Sequence, residues 1–467
     1  MQLDTDAVAS PSRVRRLQEA LRLLVGGGRD LHAVLRAAGL VFSIRVVASL
    51  INYALIVILA RWMGAAEFGI YAYALSWCLL LTVPSGLGVP GMCLRYLGQY
   101  KAAMDFARLR GLLIRSVETV AASGATVALI GIAAFVLGRS GSFDGRALAV
   151  SLAVAGIPVM AFSVLASQIG RGLGWMATAY APTQIGQAVV ALSVAATFVS
   201  CGHTLTAPFM VAVALSAFAL AVAVQAGVYA HRLRPVLRGV QPVFETKAWL
   251  RVALPLVLFE GFAGIVAQSD TIMVGLFLQP HDIGHYQAAV RTAMLATFVP
   301  QAVTSLAAPK IAGIHGRGST EQLQAFVSSV VPWIVLPTFA LSLSLILLAG
   351  PLLALFGGGF AGGLPALVLL VAGYFVSVCF GPAPLILNMT GHQDDCARVF
   401  ATTAFANVAL NFVLIPRLGI TGAAAASSLA LAFSNGILAW IVRKRLGVSP
   451  WITATPHRPP LTPPPVT

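Results

Sequence analysis

The sequence predicts an all-α integral membrane protein of about 12 transmembrane helices. Three observations carry that prediction: too little charge to cover a water-soluble surface, twelve apolar runs of membrane-spanning length, and basic loops confined almost entirely to one side. Charged residues make up 10% of the 467-residue chain and hydrophobic ones 58%, with a mean hydropathy of +0.88. A soluble domain carries about 25% charged residues.

A hydrocarbon core about 30 Å thick needs roughly 20 apolar residues in a helix. Residues 1–38 precede the first such run. They hold Arg13, Arg15 and Arg16 but no apolar core or cleavage site, so they read as a basic cytosolic segment at the membrane surface rather than a signal peptide. Six runs follow, near 39–60, 69–92, 113–137, 147–169, 177–200 and 207–230, and make a first lobe over 39–230. Residues 231–249, with Arg232, Arg234, Pro235, Arg238 and Pro242, read as a cytoplasmic linker. Six more runs, near 250–278, 285–309, 324–349, 364–388, 398–415 and 420–442, make a second lobe over 250–442. The basic, proline-rich tail 443–467 is expected to be cytosolic.

With both termini inside, cytoplasmic segments hold 24 Lys and Arg and external ones hold 4, namely Arg61, Arg139, Arg146 and Arg417. That bias sets the orientation by the positive-inside rule. It also accounts for the net charge of +15 without invoking nucleic acid. The five cysteines show no CxxC spacing and no nearby His pair, so neither a disulfide framework nor a metal site is expected. No GxSxG, P-loop or HExxH motif is present and no external loop is large enough to carry an active site, so the expected class is a transporter without cofactor, not an enzyme.

The halves resemble each other. Glu67-Phe-Gly69-Ile-Tyr71-Ala-Tyr-Ala74 and Asp282-Ile-Gly284-His-Tyr286-Gln-Ala-Ala289 lie 215 residues apart, and Gly174 and Gly391 lie 217 apart. An offset of six helices keeps both copies in one orientation, as in transporters built from parallel repeats.

Ionisable side chains inside membrane helices are costly, about 2.5–3.5 kcal/mol each, and usually face a cavity. Arg45, Glu118, Glu260, Asp270 and Arg291 stand in such positions. Arginine offers a planar fork matched to phosphate oxygens, so Arg45 and Arg291 suit an anionic cargo. Both are also compatible with snorkelling toward an interface. Glu260, Gln268 and Asp270 project within roughly 160° on the seventh helix, an arc able to line a cavity. Asp270 is open to three roles: an ion pair with Arg291, proton or sodium coupling, or a structural buried pair. Glu118 is close enough to the cytoplasmic end to be interfacial. Arg95 belongs to a cytoplasmic basic cluster with Lys101, Arg108, Arg110 and Arg115, which suits both substrate capture and ordinary attraction to anionic lipids.

Ala60-Arg61-Trp-Met-Gly64-Ala-Ala-Glu67-Phe-Gly69-Ile-Tyr71 resembles the stretch between helices one and two of the polysaccharide (O-antigen and exopolysaccharide) flippases. Gly86-Leu-Gly88 with Arg95-Tyr, Gln268-Ser-Asp270, Asp282-Ile-Gly284, Asn411-Phe-Val-Leu-Ile-Pro416 and Gly419-Ile-Thr-Gly422 extend the resemblance over about 39–442. That family belongs to the multidrug, oligosaccharidyl-lipid and polysaccharide exporter superfamily. The resemblance implies two pseudo-symmetric six-helix lobes in a V around a central cavity. It implies flipping of an undecaprenyl-pyrophosphate-linked oligosaccharide across a bacterial inner membrane, for lipopolysaccharide or exopolysaccharide assembly. It further implies membrane lipids as surroundings, and a polysaccharide polymerase and glycosyltransferases as partners. Lipid II flippases, more distantly similar and with more helices, carry functional arginines in helices one and eight, which would correspond to Arg45 and Arg291. On that reading Arg45, Arg291, Arg95 and Gln268 bind substrate, while Asp270, Glu260 and Glu118 are cavity or coupling carboxylates. The competing reading is a multidrug–cation antiporter of the same superfamily. Its cavity would carry acidic groups on helix one, where this chain has Arg45.

Overall fold

The computed structural model describes residues 31–137, 144–316 and 318–451, with the side chains of 31–48, 135–137, Phe259, Leu306 and Pro309 outside the described set. The described residues are helical, with turns and no strand. In chain order the helices of the first half are α1 (Leu31–Gly86), α2 (Val89–Ala102), α3 (Phe106–Leu137), α4 (Gly145–Ala155), α5 (Ile157–Gly172), α6 (Met176–Tyr180), α7 (Gln187–Ser200) and α8 (Ala207–Leu237). Those of the second half are α9 (Thr246–Phe277), α10 (Pro280–Ala293), α11 (Phe298–His315), α12 (Thr320–Leu347), α13 (Ala349–Ala354), α14 (Leu364–Cys379), α15 (Ala383–Met389), α16 (Gln393–Leu418) and α17 (Ile420–Leu446).

Among the described residues nine helices are long and apolar enough to cross a membrane, and ten if α4 and α5, bent by 43°, form one span. The two remaining expected runs are present in altered form. The first two share α1, which changes direction at Gly64 (φ 77°, ψ 168°), a backbone conformation open to glycine. The eighth is broken: α10 and α11 are separated by a 3-10 turn at Met294–Thr297. Large apolar side chains such as Trp333, Phe405 and Phe412 are 73%, 69% and 65% exposed. A bilayer is the surroundings in which such a surface is stable.

Three apolar cores give the molecule its shape. The first joins both halves, combining Leu59, Phe68, Ala153 and Met210 with Val274, Tyr286, Phe356 and Leu370. The second holds Cys93, Leu112, Leu165 and Tyr229 of the first half, with Trp249 and Ala253 from the start of α9. The third, with Ile311, Val331, Ile386 and Leu438, lies wholly in the second half. The halves are therefore fused at one end and carry separate cores at the other. This is the geometry of a V, with α9 belonging to both limbs.

The sequence repeat sits at the fused end and explains the closure. A Cβ on Gly69 would lie 1.9 Å from the carbonyl oxygen of Pro280, and one on Gly284 would lie 2.1 Å from that of Ala65. Residues 65 and 280 are themselves 215 apart, so the two contacts exchange under the repeat, as in an isologous interface. Only bare backbone allows that approach. Tyr53 adds a hydrogen-bond-range contact to Thr292 (3.3 Å) and an edge-on contact to Phe356. The acidic residue of each repeat caps a helix: Glu67 accepts from the Ala207 amide at the start of α8 (2.6 Å), and Asp282 accepts from Gln279 at its own helix start. A carboxylate there complements the helix dipole.

The other end is basic, with Arg95, Lys101, Arg108, Arg171, Arg238, Lys310 and Arg443. The expected linker 231–249 is shorter in the structure, because α8 runs to Leu237 and α9 begins at Thr246. It is also strapped to the first half. The Val243 amide donates to Ala107 (3.1 Å), Arg110 donates to the Val240 carbonyl (2.5 Å) and Arg108 pairs with Glu245 (2.8 Å). Lys101 donates to the Leu173 carbonyl (2.7 Å), and partial burial lowers its pKa by desolvation. Residues 1–30 and the tail beyond Trp451 lie outside the described residues.

Candidate functional site

The polar heart of the molecule is built where α9, α10, α16 and α17 meet. Asp270 is 9% exposed there. Its carboxylate accepts from Asn411 Nδ2 (2.6 Å), from Tyr286 Oη (3.0 Å) and from Ser427 Oγ. Asn407 extends the network, accepting from Ser269 Oγ (2.7 Å) and Asn411 Nδ2 (3.2 Å). Gln287 donates to Thr271, the residue next to Asp270. A buried carboxylate needs such donors, because desolvation would otherwise expel its charge. Asn411 Oδ1, by contrast, is buried with no donor among the described residues. The cluster thus combines a carboxyl group with a spare carbonyl oxygen, a set suited to holding a proton or a small cation.

Arg291 lies on α10, eleven residues from its start at Pro280. At 1.5 Å per residue that is roughly 16 Å, near the middle of a 30 Å core. Three residues further on the helix breaks into the 3-10 turn. Broken helices at mid-depth are where transporters build sites. Arg291 is half-buried and has neither a carboxylate partner nor a hydrogen bond among the described residues. The ionisable side chains that act on it are Tyr71 from the first half and Tyr374 from the second. The expected ion pair between Asp270 and Arg291 is not formed. Asp270 is held by neutral donors, and Tyr374 stands within the field of both charges.

The remaining expected residues are dispersed. Glu260 is half-buried between the halves, its Oε1 3.2 Å from where a Cβ on Gly91 of α2 would sit. Gln268 is half-buried on α9. The arc expected to line one cavity is therefore divided: Asp270 turns into the second half and Glu260 faces the first. Arg95 is exposed on α2, one turn from Gly91 on the same face. Glu118 stands apart, exposed and paired with Arg115 at 3.0 Å. Arg45 falls in α1, eight residues toward the basic end from Tyr53, and its side chain lies outside the described residues.

Several functional candidates escaped sequence reasoning. Asn407 and Asn411, four apart on α16, share a helix face, a spacing that signals a polar stripe in an apolar helix. Tyr71 and Tyr286 are the matched tyrosines of the repeat: Tyr286 donates to Asp270, and Tyr71 lies within electrostatic range of Arg291. In the first half, Asn52 donates to the Gln184 carbonyl (2.8 Å) and accepts from Gln187 (3.3 Å) at a π-helical turn over Ala181–Gly186. Such turns recur at functional sites.

A probable low-salt glycan biosynthesis flippase of Haloferax volcanii is 27% identical over 173 residues, which cover 36% of this chain and 35% of that protein. The match thus spans about a third of that relative's length. Among solved structures, an inward-facing multidrug resistance MATE family transporter of the MOP superfamily superposes with a TM-score of 0.71 at 17% identity, covering 86% of this chain and 94% of that one. The lipid II flippase MurJ in an inward closed conformation superposes with a TM-score of 0.67 at 14% identity, covering 86% and 87%. The fold is that of these two-lobed transporters. The description "polysaccharide biosynthesis protein" matches residues 34–313, more than half of the sequence, and the chain belongs to that family.

Proposed function

We infer that the protein is a flippase for a lipid-linked oligosaccharide. The cargo is an undecaprenyl-pyrophosphate-linked repeat unit, moved across the bacterial inner membrane for lipopolysaccharide or exopolysaccharide assembly. The observation that carries this reading is Arg291, a half-buried cation at mid-depth, without a carboxylate partner among the described residues and with one tyrosine from each lobe within electrostatic range. An unpaired buried guanidinium calls for an anion, and a pyrophosphate offers bidentate acceptors. A cation antiporter would place an unpaired carboxylate there instead. The basic end, where the limbs part, is the cytoplasmic entrance, and Arg95 lies on the route inward. Arg45 is the second such cation, on the first lobe.

The prenyl tail stays in the bilayer, where each methylene is worth about 0.8 kcal/mol relative to water, while the head turns over between the lobes. A pyrophosphate leaving an inside-negative cell gains roughly 2.3 kcal/mol per charge for each 100 mV. Membrane potential alone then gives direction, and Asp270 is an auxiliary coupling group. Reconstituted protein is expected to flip a lipid-linked pyrophosphate sugar faster as an inside-negative potential is imposed at constant pH and sodium. Asp270→Asn is expected to retain that response. A rate indifferent to potential, but lost with the proton gradient and in Asp270→Asn, replaces this mechanism with antiport.

The orientation has its own test. In a Cys201→Ser background, a cysteine at His203 is expected to react with an impermeant maleimide in intact cells. One at Arg238 is expected to react only after permeabilisation. Labelling of Arg238→Cys from outside inverts the topology and the entrance with it.

A further inference from the structure

Outside the polar heart, at the fused end, a cavity of about 550 Å³ opens between α1, α3 and α4. Its walls are Trp77, Leu81, Val127, Ile130, Val150 and Val154. Ile130 is 63% exposed and its neighbour Leu129 is 68% exposed, so the mouth faces hydrocarbon in a membrane. Two opposite charges, Asp144 and Arg146, stand at its rim without pairing to each other.

Both charges have structural tasks, and among the described residues each keeps polar atoms unengaged. Asp144 Oδ1 caps α4 by accepting from the Ala147 amide (2.9 Å), and its other oxygen has no partner among the described residues. Arg146 reaches across the lobe boundary: Nη2 donates to the Gly275 carbonyl on α9 (2.5 Å), and the guanidinium lies 4.5 Å over the Tyr73 ring. That ring packs against Gly275, where a Cβ would come within 2.3 Å of it. Arg146, Tyr73 and Gly275 thus form a clasp between the lobes, and the cavity lies directly behind it.

We propose that this cavity is a regulatory site for an aminophospholipid of the closed-side leaflet. One acyl chain fills the apolar chamber, the phosphate binds Arg146 and the primary ammonium binds Asp144. Apolar filling gains little free energy inside a membrane, because lipid tails are as apolar as the pocket. Selection therefore falls to the two rim charges. Their pairing matches a phosphate next to a primary ammonium. It does not match a quaternary one, which has no N–H to donate, or a purely anionic head, which Asp144 repels. The volume lies within the range of about 300–1,000 Å³ usual for ligand pockets. A phosphate is a charged acceptor and draws Arg146 away from the neutral Gly275 carbonyl. Binding then loosens the clasp and eases parting of the lobes at the fused end.

The test uses the full-length protein in nanodiscs with phosphatidylethanolamine or phosphatidylcholine of the same acyl chains. Each lipid is doped with an analogue carrying a photoreactive group at one chain end. The phosphatidylethanolamine probe is expected to label peptides of α3 and α4, and Arg146→Gln to lower that yield about tenfold, as for loss of a charged hydrogen bond. Ala134→Trp, at the exposed mouth, is expected to lower it comparably without touching either charge. Arg417→Gln, at an exposed arginine of that end, should leave it unchanged. Equal labelling by the phosphatidylcholine probe, wild-type labelling in Arg146→Gln or Ala134→Trp, or an equal fall in Arg417→Gln overturns the site. Spin labels at the exposed positions His203 and Gly350 read the clasp. Their separation is expected to lengthen in phosphatidylethanolamine for the wild type and not for Arg146→Gln. A separation indifferent to lipid refutes the regulatory role. Neither readout depends on which cargo the protein carries.

Discussion

Arg291→Ala is expected to abolish rescue of a flippase-deficient strain while protein abundance stays normal, and Arg291→Lys is expected to retain partial activity. The guanidinium makes no ion pair or hydrogen bond among the described residues, so its removal orphans no partner among them. What is lost is anion recognition. A charge-assisted hydrogen bond is worth about 1.5–3 kcal/mol, and a bidentate contact offers two. The transport rate should fall by roughly two orders of magnitude or more. Lysine keeps the charge as a point donor but loses the fork. Rate and abundance are read together, by flipping in vesicles and by quantitative blotting. Full activity of Arg291→Ala at normal abundance would remove this residue from the site.

The second large effect is expected at Gly69 and Gly284, which carry no side chain. Gly69→Val and Gly284→Val should each prevent the fused end from closing and so abolish transport. The obstructing atoms are backbone: Pro280 O and Gly284 N for the first, Ala65 O for the second. Backbone cannot rotate aside as a side chain can, and overpacking of this kind typically costs about 1–3 kcal/mol or more. The two separate cores at the basic end are untouched, so both variants should still insert and accumulate. Spin labels at His203 and Gly350 should report a longer separation in each variant. Because the contacts exchange under the repeat, the two variants should behave alike. A normal separation with normal transport in either would show that close backbone approach at this end is dispensable.

Much of the architecture is legible in the residues alone because a membrane imposes one-dimensional rules. A helix must be about 20 apolar residues long to cross, its polar backbone must be satisfied internally, and basic loops cluster on one side. Each rule leaves a mark in a short window of sequence, which is why the runs and the 215-residue repeat can be read directly. The same rules do not register kinks. Nothing in a hydropathy window distinguishes two helices from the single turning trace through Gly64, or an unbroken eighth span from one interrupted at Met294–Thr297.

Site residues divide along the same line. Asp270 and Arg291 are visible from sequence because charge in an apolar run is conspicuous. Their partners are neutral, and Asn407, Asn411, Ser427 and Tyr374 look ordinary until three other helices bring them alongside. Helical periodicity alone places Glu260, Gln268 and Asp270 on one arc. It cannot say that α9 is shared by two limbs, so that one carboxylate faces Gly91 and the other is buried near Asn411.

The sequence by itself determined the membrane class, the order of the spans, the internal duplication and which charges lie inside apolar runs. All of these follow from composition and spacing along the chain. The tertiary structure alone decided which charges are paired, where the lobes fuse and that neutral donors, not Arg291, hold Asp270. Pairing and closure depend on distances of a few ångströms between segments 140 or more residues apart, as between Asp270 and Asn411 or Tyr53 and Thr292. Such distances are set by helix packing, for which a residue's neighbours in sequence carry no record.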